Sequence, residues 1–278
     1  MTSGWLASQA VGRLTAAGIP EPHREARLLL AAFAQVDARL QPEAEIPEDA
    51  AAAYAAAVDR RVRREPYAYV TGRREFFGLC LEVNRDVLIP RPETELLVER
   101  ALVLAPLGAV AADLCTGSGA VALALMAQRP DIEITGTDIS TAALSVAARN
   151  ARRLGLPLGL RQGDLWSALP ARARGTLDLC TCNPPYVDAG ELPHLDPEVR
   201  DWEPRIALVP PEGWRSLQSR LVAGAAEWLK PGGWLVSEIG VGQAPSVYHI
   251  FLRSGLTDVG VRMDLAGVPR AVEGRRRP

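Results

Sequence analysis

Histidine, cysteine and lysine are all scarce in this chain of 278 residues, which carries three His, four Cys and, among its 31 basic residues, a single lysine, Lys230. His23, His194 and His249 stand far apart, so a metal site has almost no imidazole to draw on. The cysteines, Cys80, Cys115, Cys180 and Cys182, lie in apolar surroundings, and Cys180-Thr181-Cys182 has too short a spacer for the usual metal or redox pair. They are expected to be core thiols, and no metal is expected. No apolar run approaches the roughly 18 residues of a membrane span, and Met1–Trp5 lacks the basic and apolar regions of a secretory signal. The expectation is a cytoplasmic protein with no membrane partner. Excess charge is missing too: 31 Lys+Arg against 33 Asp+Glu leave −2, so no global electrostatic footprint points to nucleic acid. Direct sequence-specific nucleic-acid contact is therefore not expected.

What is present, 48% hydrophobic and 23% charged residues, excludes disorder and fibre. The length favours a small domain joined to a larger one. Residues 1–65 read as helices. Trp5, Leu6, Val11, Leu14 and Ala17 recur at helical spacing until Gly18-Ile19-Pro20 stops them. A second helix follows from Glu21. Pro47 then introduces an Ala-rich helix over 48–64, as proline does in a first turn. Its end, Arg60-Arg61-Val62-Arg63-Arg64, reads either as a solvated helix terminus or as a contact surface for an acidic or RNA-bearing partner.

Residues 66–86 look like a hairpin linker, with Gly72, Phe76-Phe77-Gly78 and Leu79–Val83. Over 87–273, short apolar runs alternate with helical stretches. The runs are 110–115, 132–138, 158–161, 177–182, 234–239, 259–264 and 268–272, and the helices 120–128, 141–154, 214–229 and 244–254. Such alternation predicts an α/β fold, a doubly wound, mostly parallel seven-stranded sheet, because parallel neighbours need crossovers that cover both faces. Residues 274–278 are expected to be a disordered tail.

In a sheet of this kind ligands bind beyond the carboxyl ends of the strands. The loop after the first strand reads Cys115-Thr116-Gly117-Ser118-Gly119, where glycines let backbone approach a flat ligand. This loop alone does not choose between a nicotinamide cofactor and S-adenosylmethionine. Asp138 ends the second strand, where a carboxylate can accept both hydroxyls of a ribose; the alternative is a helix cap, a task for which Ser140 is better placed.

The decisive motif is Asn183-Pro184-Pro185-Tyr186, at the end of the fourth strand. Proline's fixed φ and missing N–H stop the ladder and stiffen the turn. That suits a planar NH₂ group, whose two N–H bonds need acceptors while its nitrogen meets an electrophilic methyl. Asn183 Oδ1 and the Pro184 carbonyl are the candidate acceptors, and the Tyr186 ring the candidate stacking surface.

These residues resemble the class I S-adenosylmethionine-dependent methyltransferases with an Asn-Pro-Pro-Tyr motif, a Rossmann-like fold, and in particular the peptide chain release factor glutamine N5-methyltransferases. Further stretches carry the likeness across roughly residues 60–272: Glu65-Pro66 with Tyr69–Gly72, Glu75–Leu79, Pro90-Arg91-Pro92-Glu93-Thr94-Glu95, Glu203-Pro204-Arg205, Glu238-Ile239-Gly240 with Gln243, and Asp264–Gly267 with Arg270. The resemblance implies S-adenosylmethionine as cofactor, S-adenosylhomocysteine as product and class 1 release factors as protein substrate, recognised partly through the N-terminal helical domain. It implies that Cys115, Thr116, Gly117, Ser118 and Gly119 cradle the methionine part of the cofactor and that Asp138 holds its ribose. Asp164 and Leu165 lie by its adenine, and Asn183 stands where cofactor and substrate meet. Asn183, Pro184, Pro185 and Tyr186 hold the glutamine. Cys115 departs from the glycine of many relatives. Leu165 departs from the aromatic of some, leaving open whether Trp166 takes that contact. Pro90–Glu93 reads as a strap over the pocket or as a helix start. The rival is an adenine N6 methyltransferase acting on DNA or RNA, for which the runs at 60–64 and 275–277 speak.

Overall fold

A computed structural model describes residues 1–278, which divide into two units, Met1–Arg73 with Asp196–Trp202 and Arg74–Leu195 with Glu203–Pro278. In the first unit, α1 (Ser3–Ala16) starts where the Thr2 hydroxyl accepts the Trp5 N–H, and Gly18 beyond its end has a φ of +68°. Prolines then open α2 (Pro22–Ala34), α3 (Glu48–Val62) and a short α4 (Tyr67–Thr71), whose end is capped by left-handed Gly72. Leu6, Leu14, Leu29, Leu30, Tyr54 and Val58 form the core between them.

The basic run is mostly paired within its own unit and is not a freely solvated helix end. Arg61 is 1% exposed. Its guanidinium donates to Glu25 at 2.9 and 3.2 Å, to Glu198 Oε1 at 3.1 Å and to the Glu65 carbonyl. Arg60 forks onto the Glu65 carboxylate and the Val70 carbonyl, and Arg64 reaches the Gly18 carbonyl and Asp196. A buried arginine needs such partners, because an unpaired charge out of water is costly. Three of the four arginines are thus engaged inside this unit.

The second unit begins with a hairpin, β1 (Arg73–Phe76) and β2 (Leu79–Glu82), whose two turn residues, Phe77 and Gly78, both have positive φ, as a tight right-twisting turn requires. The hairpin is shorter than the 66–86 segment expected to form it, because Pro66 starts α4. A 3₁₀ turn at Pro92–Thr94 leads into α5 (Glu95–Leu104). There follow β3 (Val110–Leu114), α6 (Ala120–Gln128), β4 (Glu133–Asp138), α7 (Thr141–Leu154), β5 (Gly159–Gln162) and β6 (Leu177–Cys182). After a long connection come α8 (Trp214–Trp228), β7 (Leu229–Glu238), α9 (Ala244–Arg253), β8 (Thr257–Met263) and β9 (Pro269–Arg275).

The sheet runs β5-β4-β3-β6-β7-β9-β8; β3 to β7 pair in parallel, while β9 is antiparallel to both β7 and β8. All six residues of β6 are buried, as a central parallel strand covered on both faces demands. Alternation sends Leu179 to one core cluster and Cys180 and Cys182 to the other, so this pair packs in hydrocarbon, where burial pushes both thiols well up. The tail expected to be disordered over 274–278 is strand in its first two residues: β9 runs through Arg275, Gly274 pairs with Leu235, and the Arg276 N–H donates to the Gly233 carbonyl at 2.8 Å. No helix is long and apolar enough to cross a membrane.

Candidate active site

The carboxyl ends of β3, β4 and β6 open on one cleft, since β3 lies between the other two. The loop leaving β3 is held from beneath by Asp113, a buried carboxylate that accepts the hydroxyls of Thr116 at 2.6 Å and Thr181 at 2.7 Å. Burial raises Asp113 to about 6, and the two hydroxyls oppose the rise. Above it the chain turns through left-handed conformations at Cys115 (φ +56°), Gly117 (+54°) and Gly119 (+82°). Glycine adopts such a backbone without strain, and Cys115 carries a Cβ into it.

A Cβ added at Gly117 would meet nothing within 4 Å, so this glycine borders open cleft; one at Gly119 would lie 3.1 Å from Leu123 Cδ1, so that glycine instead serves close packing. Cys115, Thr116, Gly117 and Ser118 line the cleft, whereas Gly119 lies outside its lining.

Asp138 bridges the loop and the next helix. Its Oδ2 accepts the Gly117 N–H and its Oδ1 the Ser140 N–H, both at 2.9 Å. The helix cap is Ser140, which accepts from Ala143 at 3.1 Å. Asp138 is thus free of capping and faces the cleft, its carboxyl raised by burial against those backbone donors.

Asp164 and Leu165 also line the cleft. Asp164 pairs with Arg220, and Leu165 adopts a left-handed φ of +47°. Trp166 points elsewhere: it is buried, stacks on Trp228 at 6.2 Å and donates its indole N–H to the Leu221 carbonyl at 2.8 Å. Of the two residues, Leu165 is the one at the cleft.

Within the motif, Asn183 and Pro185 reach the cleft, while Pro184 is buried and Tyr186 packs behind. Pro90 and Thr94 line the cleft as well, so the proline-rich segment both starts a helix and borders the pocket. The turn is pinned on several sides. Gln243 Nε2 donates to the Tyr186 carbonyl at 2.8 Å while its Oε1 accepts the Gly240 N–H at 2.9 Å, and the Val187 N–H donates to the Leu208 carbonyl at 2.9 Å.

Two residues given no role by sequence reasoning complete the site. Asn183 Nδ2 donates to Thr94 Oγ1 at 3.2 Å, and the Tyr186 hydroxyl donates to Glu238 Oε1 at 3.3 Å. Glu238 is buried; desolvation lifts it to about 7, against the Thr94 and Tyr186 hydroxyls and the Arg270 charge. Burial and the neighbouring Glu238 also raise the Tyr186 phenol, so it stays a neutral donor. The hint in the sequence was a carboxylate closing the apolar strand β7.

A mostly parallel sheet with this strand order, a glycine turn after β3, an acid ending β4 and Asn-Pro-Pro-Tyr following β6 defines a class I methyltransferase. The solved structure of a methyltransferase from Pyrococcus furiosus shares the fold, with a TM-score of 0.55 at 16% identity over 73% of this chain and 91% of that one. Residues 6–72 match the PrmC N-terminal domain model and residues 92–194 the methyltransferase small domain model. A release factor glutamine methyltransferase of Cereibacter sphaeroides is 44% identical over 96% of this chain and 95% of its own. One of Koribacter versatilis is 39% identical over 99% of both. The chain belongs to the release factor glutamine methyltransferase family.

Proposed function

We propose that this protein transfers the methyl group of S-adenosylmethionine to the side-chain amide nitrogen, N5, of the glutamine in the Gly-Gly-Gln loop of class 1 peptide chain release factors. The observation that carries the reading is the Asn183 side chain: its Nδ2 lies 3.2 Å from Thr94 Oγ1 while the residue lines the cleft, so its amide can offer Oδ1 to a substrate there. A glutamine amide presents two N–H bonds and a delocalised lone pair, so it is recognised by acceptors and needs little else.

The cleft suits the cofactor. Open space at Gly117 lets backbone approach a ligand, the Asp138 carboxylate is raised by burial and so favours accepting hydroxyl protons, and Leu165 offers an apolar surface. When bound, S-adenosylmethionine supplies an electrophilic methyl on sulfur and leaves as S-adenosylhomocysteine. Thr116 to Ser118 and Asp138 hold the donor. Asn183 Oδ1 and the Pro184 carbonyl take the two N–H bonds and turn the nitrogen lone pair toward the methyl. Pro185 and the buried Pro184 keep that turn from relaxing. No strong base is called for: the nitrogen gives up its extra proton to water as the new N–C bond forms. Holding the two reacting atoms in line is worth up to about 7–11 kcal/mol in favourable cases.

The adenine N6 reading needs basic surface for phosphates. Arg60, Arg61 and Arg64 are paired within their own unit, and Arg275 and Arg276 bond the Gly232 and Leu229 carbonyls. Incubation with labelled S-adenosylmethionine, a class 1 release factor and adenine-containing DNA and RNA tests the proposal. Label is expected on the release factor, at the Gly-Gly-Gln glutamine by peptide mass mapping; label on nucleic acid and none on protein overturns it.

A further inference from the structure

A carboxamide has two ends of nearly the same shape and opposite chemistry, and half a turn about the last side-chain bond exchanges acceptor for donor. Only one orientation of Asn183 serves a substrate NH₂ group: Oδ1 must face it. Which end faces the cleft is decided by what holds the other. Asn183 Nδ2 meets Thr94 Oγ1 at 3.2 Å. A threonine hydroxyl has one proton and could present either that proton or a lone pair to Asn183. Its other neighbour settles the choice. Glu238 is buried, lies close enough to Thr94 for that hydroxyl to lower its pKa, already receives the Tyr186 hydroxyl at 3.3 Å on Oε1, and has a second buried oxygen, Oε2, with no hydrogen-bond partner. Ionised, Glu238 only accepts, so Thr94 then turns its proton to Glu238 and its lone pairs to Asn183, where only a donor fits; protonated Glu238 can itself donate, so this polarity belongs to the ionised state.

We propose that Thr94 and Glu238 are positioning residues that fix the polarity of the Asn183 amide, setting Oδ1 toward the substrate nitrogen; this rests on the methyl-transfer reading above. The same carboxylate holds the Tyr186 hydroxyl, so one buried group steadies both ends of the Asn-Pro-Pro-Tyr turn. Glu238 ends β7, Thr94 closes the 3₁₀ turn before α5, and Asn183 follows β6 directly, so three separate elements must be in place before the amide is oriented.

The test uses the full chain. Thr94→Val keeps shape and removes both hydrogen-bonding functions, whereas Thr94→Ser keeps them. For transfer to a release factor, Thr94→Val is expected to lower kcat about 10–100-fold, as loss of an outer partner of a functional side chain does. Its KM for the factor and its S-adenosylhomocysteine Kd should stay within about threefold. Thr94→Ser should restore kcat to within about threefold. A kcat for Thr94→Val near the wild-type value, a parallel loss of cofactor affinity, or failure of Thr94→Ser to rescue overturns the proposal. Orientation is also read without turnover. In wild type, the Asn183 side-chain NH₂ protons should show a nuclear Overhauser effect to the Thr94 methyl. Absence of that effect in wild type refutes the proposal, while a wild-type protein that labels no release factor refutes the function and leaves the orientation to be judged by the spectrum.

Discussion

Replacing Asn183 by alanine separates two quantities that a purely structural role would move together. In the folded protein the Asn183 side chain makes one hydrogen bond, to Thr94, and is half-buried, so water can take its place beside the Thr94 hydroxyl. A bond of that kind contributes about 0.5–1.5 kcal/mol net, which in a chain of this size moves the melting temperature by only a few degrees. In the reaction the lost group is an acceptor aligned with the transition state. Removal of one such preorganised partner typically costs about 10²–10³ in kcat, or roughly 2.7–4 kcal/mol. The cofactor, meanwhile, keeps its main holds: the loop anchored on Asp113 and the Asp138 carboxylate are untouched.

The expected result is therefore a fall in kcat of about 100-fold or more, with cofactor Kd changed by no more than about threefold. Single-turnover transfer of labelled methyl to a release factor gives the first number and calorimetric titration with S-adenosylhomocysteine the second. A cofactor Kd that rises in step with the loss of turnover would refute the division of labour between the loop and the motif. So would a kcat loss below about tenfold, since the acceptor would then contribute little.

Other consequences are equally open to measurement. Gly117→Ala places a Cβ at a left-handed residue bordering open cleft, so it should cost about 1–2 kcal/mol of stability through backbone strain and weaken S-adenosylhomocysteine by about tenfold or more; unchanged affinity would mean the loop does not touch the ligand. Burial lifts Asp113 to about 6, so the folded chain holds a proton there that the unfolded chain releases near pH 4, and this group makes stability fall as pH rises across that window. Urea unfolding should accordingly show Asp113→Asn gaining on wild type by roughly 3 kcal/mol from about pH 4 to about pH 6, atop a constant offset from the altered bonds to Thr116 and Thr181; a flat difference would contradict the buried charge. Arg61→Ala leaves Glu25 without its cation and Glu198 with only Arg64 at 3.5 Å inside the helical unit, and denaturant unfolding should show a loss of about 3–5 kcal/mol; less than about 1 would mean the pair is not buried in solution.

Local chemistry was legible in the sequence where it is encoded by neighbours. The segments 120–128 and 141–154 are helices as their spacing predicts, because glycine, serine and apolar spacing mark their ends within a few residues. The glycine loop, Asp138 and the proline turn were legible for the same reason. β7 shows where that logic fails. The apolar run covers only 234–239, yet the strand starts at Leu229, because the ladder with β6 slips between Leu177 and Leu179 and admits a proline at the irregularity.

Trp166 and Arg61 mislead for a different reason: a possible cofactor contact for one and a solvated helix end for the other give way to burial, because a partner is supplied from far along the chain, the Leu221 carbonyl for Trp166 and Glu198 for Arg61. The polarity of Asn183 belongs with these. The motif announces an amide but not which way it points, since that depends on a hydroxyl before α5 and a carboxylate at the end of β7. Raising a carboxylate toward neutrality by burying it opposes folding at physiological pH. A Glu238 kept for stability alone would therefore be better replaced by a neutral residue of the same size, and its presence behind the one side chain that must not rotate is what an orienting role requires.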